Sequence, residues 1–197
     1  MNLERRILEG RLVRLDPTVV GDAGGWLASA ESPETLGLFP FTFEPWDEQG
    51  ARRFIERLLG MDNWITYTVR DRESGAVLGS SSFIGIDAHN RGVEIGCTWI
   101  TPGARGTRVN AEMKLLMLSS AFDAGAIRVM LKTDSRNAAS LGAIRKLGAI
   151  EEGTMRNHIV MPDGVYRHSV MFSITPEEWP GVRAGLEARL ADPDSSA

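Results

Sequence analysis

The hydrophobic positions of this chain recur with two different periods, and the change between them predicts the order of its elements. Apolar residues at every second position are typical of strands, and apolar residues three or four positions apart are typical of helices. Strands are predicted at 11–15, 64–70, 76–86, 92–100 and 127–133. Helices are predicted at 18–30, 47–60, 110–125 and 134–149.

Proline and glycine mark the remaining elements. Residues 152–174 are predicted to form a hairpin around the turn Pro-Asp-Gly at 162–164. A last helix is predicted to start near the sequence TPEEWP, where Thr175 can cap Glu178. The segment 36–46 is aromatic and interrupted by proline, and it is predicted to be irregular.

This order of elements predicts an α+β fold with a mixed, mainly antiparallel sheet that carries helices. The unit formed by strand 92–100, helix 110–124 and strand 127–133 has the crossover form that neighbouring parallel strands need. Ligands favour such a junction, because a helix N-terminus points out between two strands there. We expect a single domain over 1–190 and a frayed tail over 191–197.

Composition narrows the class of protein. The 197 residues are 43% hydrophobic and 24% charged, with a net charge of −4. This balance argues against wholesale binding to nucleic acid or to an anionic membrane, so an anionic ligand would need a local set of donors. One cysteine, Cys97, and the absence of a long apolar run favour a cytoplasmic protein without disulfides. The oligomeric state stays open, a homodimer included.

The sequence RGTRVN at 105–110 lies just before the predicted helix 110–125. The first N–H groups of a helix lack partners within the helix, and its dipole adds partial positive charge, so this loop could bind a pyrophosphate. Arg105 and Arg108 would add formal charge, and Gly103 and Gly106 would let the main chain approach closely. The alternative is that these residues form an ordinary loop with good capping residues.

Several other chemistries lack their motifs. The chain has neither the G-x-x-x-x-G-K-[ST] loop of nucleoside triphosphatases nor the G-x-G-x-x-G loop of nicotinamide-dependent dehydrogenases. The stretch 79–83 lacks the second glycine of a serine-hydrolase elbow. The histidines, His89, His158 and His168, are scattered without ligand spacing, so no metal site is predicted.

Nearly the whole chain resembles the GNAT superfamily of acyl-CoA-dependent N-acyltransferases, and most of all its ribosomal-protein N-terminal acetyltransferase (Rim-type) branch. The segments that carry the resemblance are VEIGCTWI, RGTRVNAEMKLL, DSRNAASLGAIRKLGAIEEGTMR and the Pro-Asp-Gly hairpin. The phosphate motif of the family reads Gln/Arg-x-x-Gly-x-Gly/Ala. This chain keeps the leading Arg105, but it has Arg108 at the fourth position and Asn110 at the last.

The resemblance implies an acetyl-CoA-dependent enzyme that acetylates a primary amine, either a protein N-terminus or a small molecule, by direct transfer. It implies that 105–110 hold the pyrophosphate. It also implies that the parallel strand pair splays at the cofactor site, which frees main-chain groups of 99–101 to hold the pantetheine arm. Asn137 either contacts the cofactor or caps its helix. The cofactor-binding residues expected on this basis are Trp99, Ile100, Thr101, Arg105, Gly106, Thr107, Arg108, Val109, Asn110, Asn137 and Ser140.

Glu94 is the expected general base, because a carboxylate must take a proton from the amine, and a glutamate within an apolar strand is costly unless it is paired or functional. The alternative is a structural partner of an arginine or a solvated residue. Strict alternation would place Glu94, Gly96, Thr98 and Ile100 on one face of the strand. Main-chain N–H groups near Trp99 and Ile100 could stabilise the oxyanion.

Protonation of the leaving thiolate is the step for which the family residue is missing. Many members of the family use a tyrosine seven residues after the motif asparagine, and this chain has Ile144 there. Ser140 or a water molecule would have to replace it, unless Ser140 is a simple surface hydroxyl. Cys97 is expected to be a small buried residue and not a nucleophile.

The acceptor site is expected in the first third of the chain, where Phe41, Phe43 and Trp46 are candidate substrate contacts and packing is the alternative. Asp22, Glu44 and Asp47 would suit a cationic amine or a basic peptide terminus. Two alternatives to the acetyltransferase stay open. One is a CoA-binding sensor with little turnover, and the other is an enzyme for another acyl group such as succinyl, which would need a further basic pocket.

Overall fold

A sheet of eight strands positions the functional residues, and the computed structural model describes it within residues 1–192. The strands are β1 Leu8–Glu9, β2 Val13–Pro17, β3 Ile65–Asp71, β4 Val77–Asp87, β5 Gly92–Ile100, β6 Arg128–Asp134, β7 Ile150–Val160 and β8 Tyr166–Ile174. The helices are α1 Ala23–Ala30, α2 Glu48–Leu59, α3 Arg108–Asp123, α4 Ala138–Leu147 and α5 Trp179–Ala191. The strand order is β1-β2-β3-β4-β5-β6-β8-β7, and β5 and β6 pair in parallel while the other pairs are antiparallel.

This architecture confirms the predicted α+β class and the mixed, mainly antiparallel sheet. The predicted helices and strands are present, and the short strand β1 is an addition that pairs with β2. Side-chain caps account for the shifted helix boundaries. Thr107 caps α3, which therefore begins at Arg108, two residues before its predicted start. Asn137 caps α4, and the residues before it belong to β6 and to a turn.

Helix α1 is shorter than the predicted helix 18–30. Residues Val20–Asp22 form a 3-10 turn, and the carboxylate of Asp22 accepts a hydrogen bond from the backbone N–H of Val19 at 3.0 Å. The α-helical geometry starts only at Ala23. Trp26 is fully buried.

Strands β5 and β6 separate along their length. They pair at only three positions, which end where Glu94 meets Met130. Beyond that point β5 continues to Ile100 and β6 to Asp134 without pairing to each other. The backbone groups of this half of β5 that face β6 are therefore outside the sheet ladder, as the resemblance implied for the cofactor site.

A β-bulge at Cys97 corrects the predicted faces of β5. Gly96 pairs with Ser82 and Trp99 pairs with Ser80, so two residues of β5 oppose Ser81 alone. Cys97 has a φ of 48°, in the left-handed region. The bulge reverses the alternation, so that Ile100 joins Ile95 in the core and not Glu94, and Trp99 lies on the opposite face.

Two hydrophobic clusters flank the sheet. The larger cluster packs α3, α4 and α5 against the sheet and includes Met113, Met117 and Phe172. The smaller one is aromatic and lies around Trp26, between α1, α2 and the segment that precedes α2. Trp99 belongs to this second cluster and meets Trp26 edge to face, with 5.9 Å between ring centroids.

Most of the predicted tail lies outside the described residues. Ala191 is the last residue of α5 and Asp192 follows it, and 193–197 are not described. Within the described part of the chain, no helix combines the length and the apolar character that crossing a bilayer requires.

Candidate active site

A cavity of about 410 Å³ opens where β5 and β6 separate. One end is formed by the N-terminal turn of α3 with parts of α4 and α5, and the other by the segment 38–41 together with Trp64 and Arg167. Seven of the site residues predicted from the sequence line it: Glu94, Trp99, Ile100, Asn110, Asn137, Ser140 and Phe41. The structure thus brings together residues that are far apart in the chain, in a space of the size that small-ligand sites usually have.

The remaining predicted site residues do not line this cavity. Thr101 and 105–109 lie in the loop and first turn that carry the chain from β5 into α3, next to Asn110. Phe43 and Trp46 pack in the aromatic cluster, where their rings stack with centroids 4.9 Å apart. Phe43 is buried and also meets Phe54 edge to face, so these two residues have packing contacts and not cavity positions.

The N-terminus of α3 presents backbone donors. The hydroxyl of Thr107 accepts a hydrogen bond from the N–H of Val109 at 3.3 Å. Within the described residues, the N–H groups of Gly106, Thr107, Arg108 and Asn110 have no acceptor. Gly106 has a φ of 72°, which turns the chain into the helix without strain. The loop is therefore capped at one position and open at four, which suits an anion.

The two arginines of this loop have protein partners. The Nε of Arg105 donates to the carbonyl of Ile100 at 3.0 Å, which fixes the guanidinium close to the end of β5. The Nη1 of Arg108 donates to the carbonyl of Leu190 at 3.3 Å, in the last turn of α5. Arg108 therefore does not lie across the open donors of α3. Its contact joins the start of α3 to the end of α5.

Asn137 caps α4, since its side-chain oxygen accepts a hydrogen bond from the N–H of Ser140 at 3.0 Å. Both residues also line the cavity, so capping leaves Asn137 beside the space where a ligand would lie. Ile144 lines the same wall and presents no hydroxyl there.

Glu94 is buried, with 7% of its surface exposed, and it lines the cavity. Its Oε2 accepts a hydrogen bond from the Nζ of Lys132 on β6 at 2.7 Å. A Cβ at Gly96 would lie 2.6 Å from Oε1 of Glu94, so the glycine provides the space that this carboxylate occupies. The pair spans the gap between the separated strands, because its two members come from β5 and β6.

Lys114 on α3 also lines the cavity, and sequence reasoning missed it. Burial lowers the pKa of this ammonium to about 7, although the carboxylate of Glu94 favours its protonation. Its Nζ donates to the hydroxyl of Thr98 at 3.2 Å, and this hydroxyl lies 2.7 Å from that of Ser81. The signal was a lysine within the otherwise apolar run 113–118 of this helix.

Cys97 lines the cavity and is half-buried, so it is less enclosed than the sequence predicted. Burial, and then the charge of Glu94, raise the pKa of its thiol to about 12. The thiol is therefore protonated at neutral pH, which agrees with the expectation that Cys97 is no nucleophile.

The acidic residues expected near the acceptor have other roles. Asp22 is held by Arg70, Thr68 and the backbone of Val19. Asp47 caps α2 by accepting from the N–H of Gly50 at 2.7 Å. Neither residue lines the cavity, and Glu44 lies exposed on the surface. The structure therefore does not bring these three carboxylates together at the cavity.

The cavity is instead rich in cations, although the whole chain has a net charge of −4. Its charged lining residues are four bases and two acids, namely Lys114, Lys132, Arg167, Arg189, Glu94 and Asp134. Asp134 pairs with Arg136, with 2.7 Å between the charged groups. The cations also act on a residue outside the cavity lining. The pKa of His158 is lowered first by burial and then by the charges of Lys132 and Arg167.

Known proteins share the sequence pattern and the fold of this chain. The model of the acetyltransferase (GNAT) domain matches residues 12–150. A solved protein from T. thermophilus, assigned as an acetyltransferase, is 34% identical, with a TM-score of 0.90 over 96% of this chain and 100% of that one. A GCN5-related N-acetyltransferase from Brucella melitensis is 26% identical, with a TM-score of 0.89 over 97% of this chain and 87% of that one.

A third solved structure, Mycobacterium smegmatis RimJ in complex with CoA-disulfide, shares the fold. It is 20% identical, with a TM-score of 0.76 over 93% of this chain and 91% of that one. None of the curated proteins matches this chain by sequence.

Proposed function

We propose that this chain, which belongs to the GNAT family of acetyltransferases, transfers an acetyl group from acetyl-CoA to a primary amine within a ternary complex. One observation carries the proposal. A single cavity joins the N-terminal turn of α3 to the carboxylate of Glu94 through the separation of β5 and β6. Acetyl-CoA carries its anionic pyrophosphate far from its reactive thioester, so it needs a cavity that connects the two regions.

The residues at the α3 end fit a pyrophosphate. The open N–H groups at Gly106, Thr107, Arg108 and Asn110 supply hydrogen bonds, and the helix dipole adds to them. The unpaired edge of β5, at 95–100, offers backbone groups to the amides of a pantetheine arm. Asn137 and Ser140 on α4 lie along the same wall. Acetyl-CoA, when bound, supplies the activated acetyl group.

Glu94 serves as the proton acceptor for the attacking amine. Amines are mostly protonated at neutral pH, so one proton must leave before attack. One oxygen of the carboxylate accepts from Lys132, and Oε1 has no hydrogen-bond partner among the described residues. This leaves Oε1 for the ammonium or for a water molecule between them. Lys132 fixes the carboxylate in place across the gap.

The leaving thiolate needs a proton, and the cavity offers two donors. Ser140 lines it. Lys114 lines it as well, and with its pKa lowered by burial to about 7 its ammonium gives up a proton near neutral pH. Lys114 therefore stands as a second residue that can take the place of the family tyrosine.

The test is thermal denaturation and turnover with purified protein. Acetyl-CoA should raise Tm, because a ligand that binds only the folded state stabilises it. A panel of primary amines should then release free thiol from acetyl-CoA. Absence of any rise in Tm would contradict every CoA-dependent reading. A rise in Tm without thiol release from any amine would favour the sensor alternative, and release from succinyl-CoA alone would change the acyl group.

A further inference from the structure

Arg167 is a buried guanidinium whose protein partners are all neutral. Only 7% of its surface is exposed, and it lines the cavity from strand β8. Its Nε donates to the hydroxyl of Ser169 at 3.0 Å, and its Nη1 makes a long contact of 3.5 Å with the carbonyl of Leu38. Among the described residues no carboxylate pairs with it, and Nη2 has no hydrogen-bond partner.

The neighbouring carboxylates do not compensate this charge directly. Glu94 pairs with Lys132 at 2.7 Å, and Asp134 pairs with Arg136 at the same distance. Burying a cation without a counter-ion is unfavourable, and burial lowers the pKa of Arg167. A planar guanidinium with open N–H groups matches a carboxylate in two parallel hydrogen bonds. An anionic ligand would therefore satisfy both the charge and the donors.

The position of Arg167 indicates which ligand that would be. The contact with Leu38 places it at the end of the cavity formed by 38–41, away from the N-terminal turn of α3. Phe39, Phe41, Trp64 and Ile84 give that end apolar walls. Glu94 lines the same cavity, and the charges of Asp134 and then of Glu94 act on Arg167 against the effect of burial. Because both residues line one cavity, a single molecule could place its ammonium at Glu94 and its carboxylate at Arg167.

We propose that the acceptor is an amine that also carries a carboxylate, as an amino acid does, and that Arg167 binds this carboxylate while Glu94 receives the ammonium. The inference rests on the proposed acetyl transfer. In it one proton of the ammonium goes to Glu94 before attack, the amine nitrogen then forms the new amide bond, and the bond from the acetyl carbon to sulfur breaks. The second proton is lost from the nitrogen as the amide forms and balances the proton that the leaving thiolate takes up. Arg167 takes no part in these bond changes and sets the specificity for the acceptor.

Matched acceptors test the proposal. Phenylalanine and methionine are compared with phenylalaninamide and methioninamide, in which a neutral amide replaces the carboxylate. We expect kcat/KM to be about tenfold to a hundredfold higher for the acids, which is the usual range for hydrogen bonds between charged groups. The amides have the less basic amines, so they would react faster if Arg167 had no part in binding.

Substitutions at Arg167 then locate the effect. In Arg167→Gln the ratio between acid and amide should fall close to one, mainly through KM for the acid. Arg167→Lys should keep part of the ratio, because lysine retains the charge without the planar fork. Ser169→Ala, which releases Nε of Arg167, should lower the ratio less than Arg167→Gln. Arg156→Gln is the matched control, since Arg156 is exposed on the preceding strand β7 and does not line the cavity.

Two further arms separate this inference from the proposed function. The rise in Tm with phenylalanine alone is measured for the wild type and for Arg167→Gln, and it requires no turnover. A rise in the wild type that Arg167→Gln loses supports the carboxylate site even where acetyl transfer fails. The second arm compares succinyl-CoA with acetyl-CoA on a neutral amine. A preference for succinyl-CoA that Arg167→Gln abolishes would assign Arg167 to the acyl donor and overturn the proposal.

The proposal is also overturned if the wild type transfers acetyl to acids and amides alike, or if Arg167→Gln lowers both equally. Folding of each variant is checked by its Tm and by the shift that acetyl-CoA produces, because the pyrophosphate site is at the other end of the cavity. A variant that keeps this shift and loses only the acids reports on acceptor binding.

Discussion

Glu94 and Glu112 are both buried glutamates, on consecutive elements of the chain, and their surroundings differ completely. Glu112 on α3 accepts hydrogen bonds from three consecutive backbone N–H groups at the start of β2, those of Arg11, Leu12 and Val13, at 2.9, 2.6 and 2.8 Å. Glu94 on β5 accepts one bond, from Lys132, and lines the cavity. Burial of a charge therefore does not mark a functional site by itself. A buried carboxylate marks a candidate functional site when one of its oxygen atoms has no hydrogen-bond partner in the protein.

The largest effect is expected at Glu94. Glu94→Gln keeps the size of the side chain and removes its basicity, so kcat for an accepted amine should fall by about 10²- to 10⁴-fold. The rise in Tm with acetyl-CoA should persist, because the pyrophosphate donors belong to α3. A stopped assay for free thiol and thermal denaturation give the two readouts.

Glu152→Gln is the control for this substitution. Glu152 also pairs with a cation, Arg128, and accepts from Ser173 at 2.8 Å, but it does not line the cavity. Its loss should leave kcat unchanged. If Glu94→Gln retained full turnover, or if it abolished the response to acetyl-CoA, Glu94 would be a structural residue like Glu112.

The opposite pattern is expected at Glu112. Glu112→Ala leaves three backbone N–H groups without their acceptor, so the free energy of unfolding should fall by about 3 kcal/mol. The kcat of the protein that remains folded should change little, because Glu112 is outside the cavity lining. Urea denaturation followed by activity at low temperature measures both. A large loss of kcat with unchanged stability would reverse the comparison.

Lys114 extends the comparison to a buried cation. Its folded pKa of about 7 lies below the ordinary value of 10.5, so the unfolded chain binds more protons between these pH values. Stability from this residue is therefore lowest below pH 7 and rises with pH above it, by at most about 1.4 kcal/mol per pH unit. Lys114→Met removes this dependence.

The advantage in stability of Lys114→Met over the wild type should consequently be largest near pH 6 and shrink toward pH 10. Urea denaturation of the two proteins across this range gives the difference directly, and other titrating groups cancel in it. A difference independent of pH would mean that Lys114 keeps an ordinary pKa in the folded protein.

The smallest effects are expected from two glycines that make room for these carboxylates. A Cβ at Gly10 would lie 2.5 Å from Glu112, and a Cβ at Gly96 would lie 2.6 Å from Glu94. Gly10→Ala should therefore lower stability by about 1 kcal/mol and leave kcat unchanged, since the flexible side chain can move. Gly96→Ala should lower kcat several-fold with little change in Tm. If the two variants showed the same changes in stability and in kcat, the assignment of a structural role to Glu112 and a catalytic role to Glu94 would be contradicted.

Regular periodicity made the fold and half of the site predictable. The bounds of β5 were predicted from its apolar residues. Glu94 was predicted as a site residue because it is a charged residue within that apolar strand. The bulge at Cys97 could not be predicted in this way, because it depends on how β5 pairs with β4 and leaves no local signal in the sequence. Its consequence was the wrong face for Ile100.

Charges at the acceptor end were misjudged for a related reason. Asp22 and Asp47 were conspicuous in sequence, but caps and ion pairs within the chain use them. Arg167 was overlooked, although Arg167 and Ser169 alternate along β8 as two buried polar residues. Counting polar residues at inward strand positions would have found this pair. What such counting cannot supply is the pairing of charges across strands, which distinguishes a compensated carboxylate from an open guanidinium.

The separation of β5 from β6 has a consequence for how the two parts of the sheet hold together. Strands β1 to β5 and strands β6 to β8 are joined by pairing at only three positions. An extended ligand lying along 95–100 would supply the missing rungs and act as a ninth strand. Hydrogen–deuterium exchange of the backbone amides should then slow on both sides of the gap together. The bound ligand would hold the two parts of the sheet together until the product dissociates.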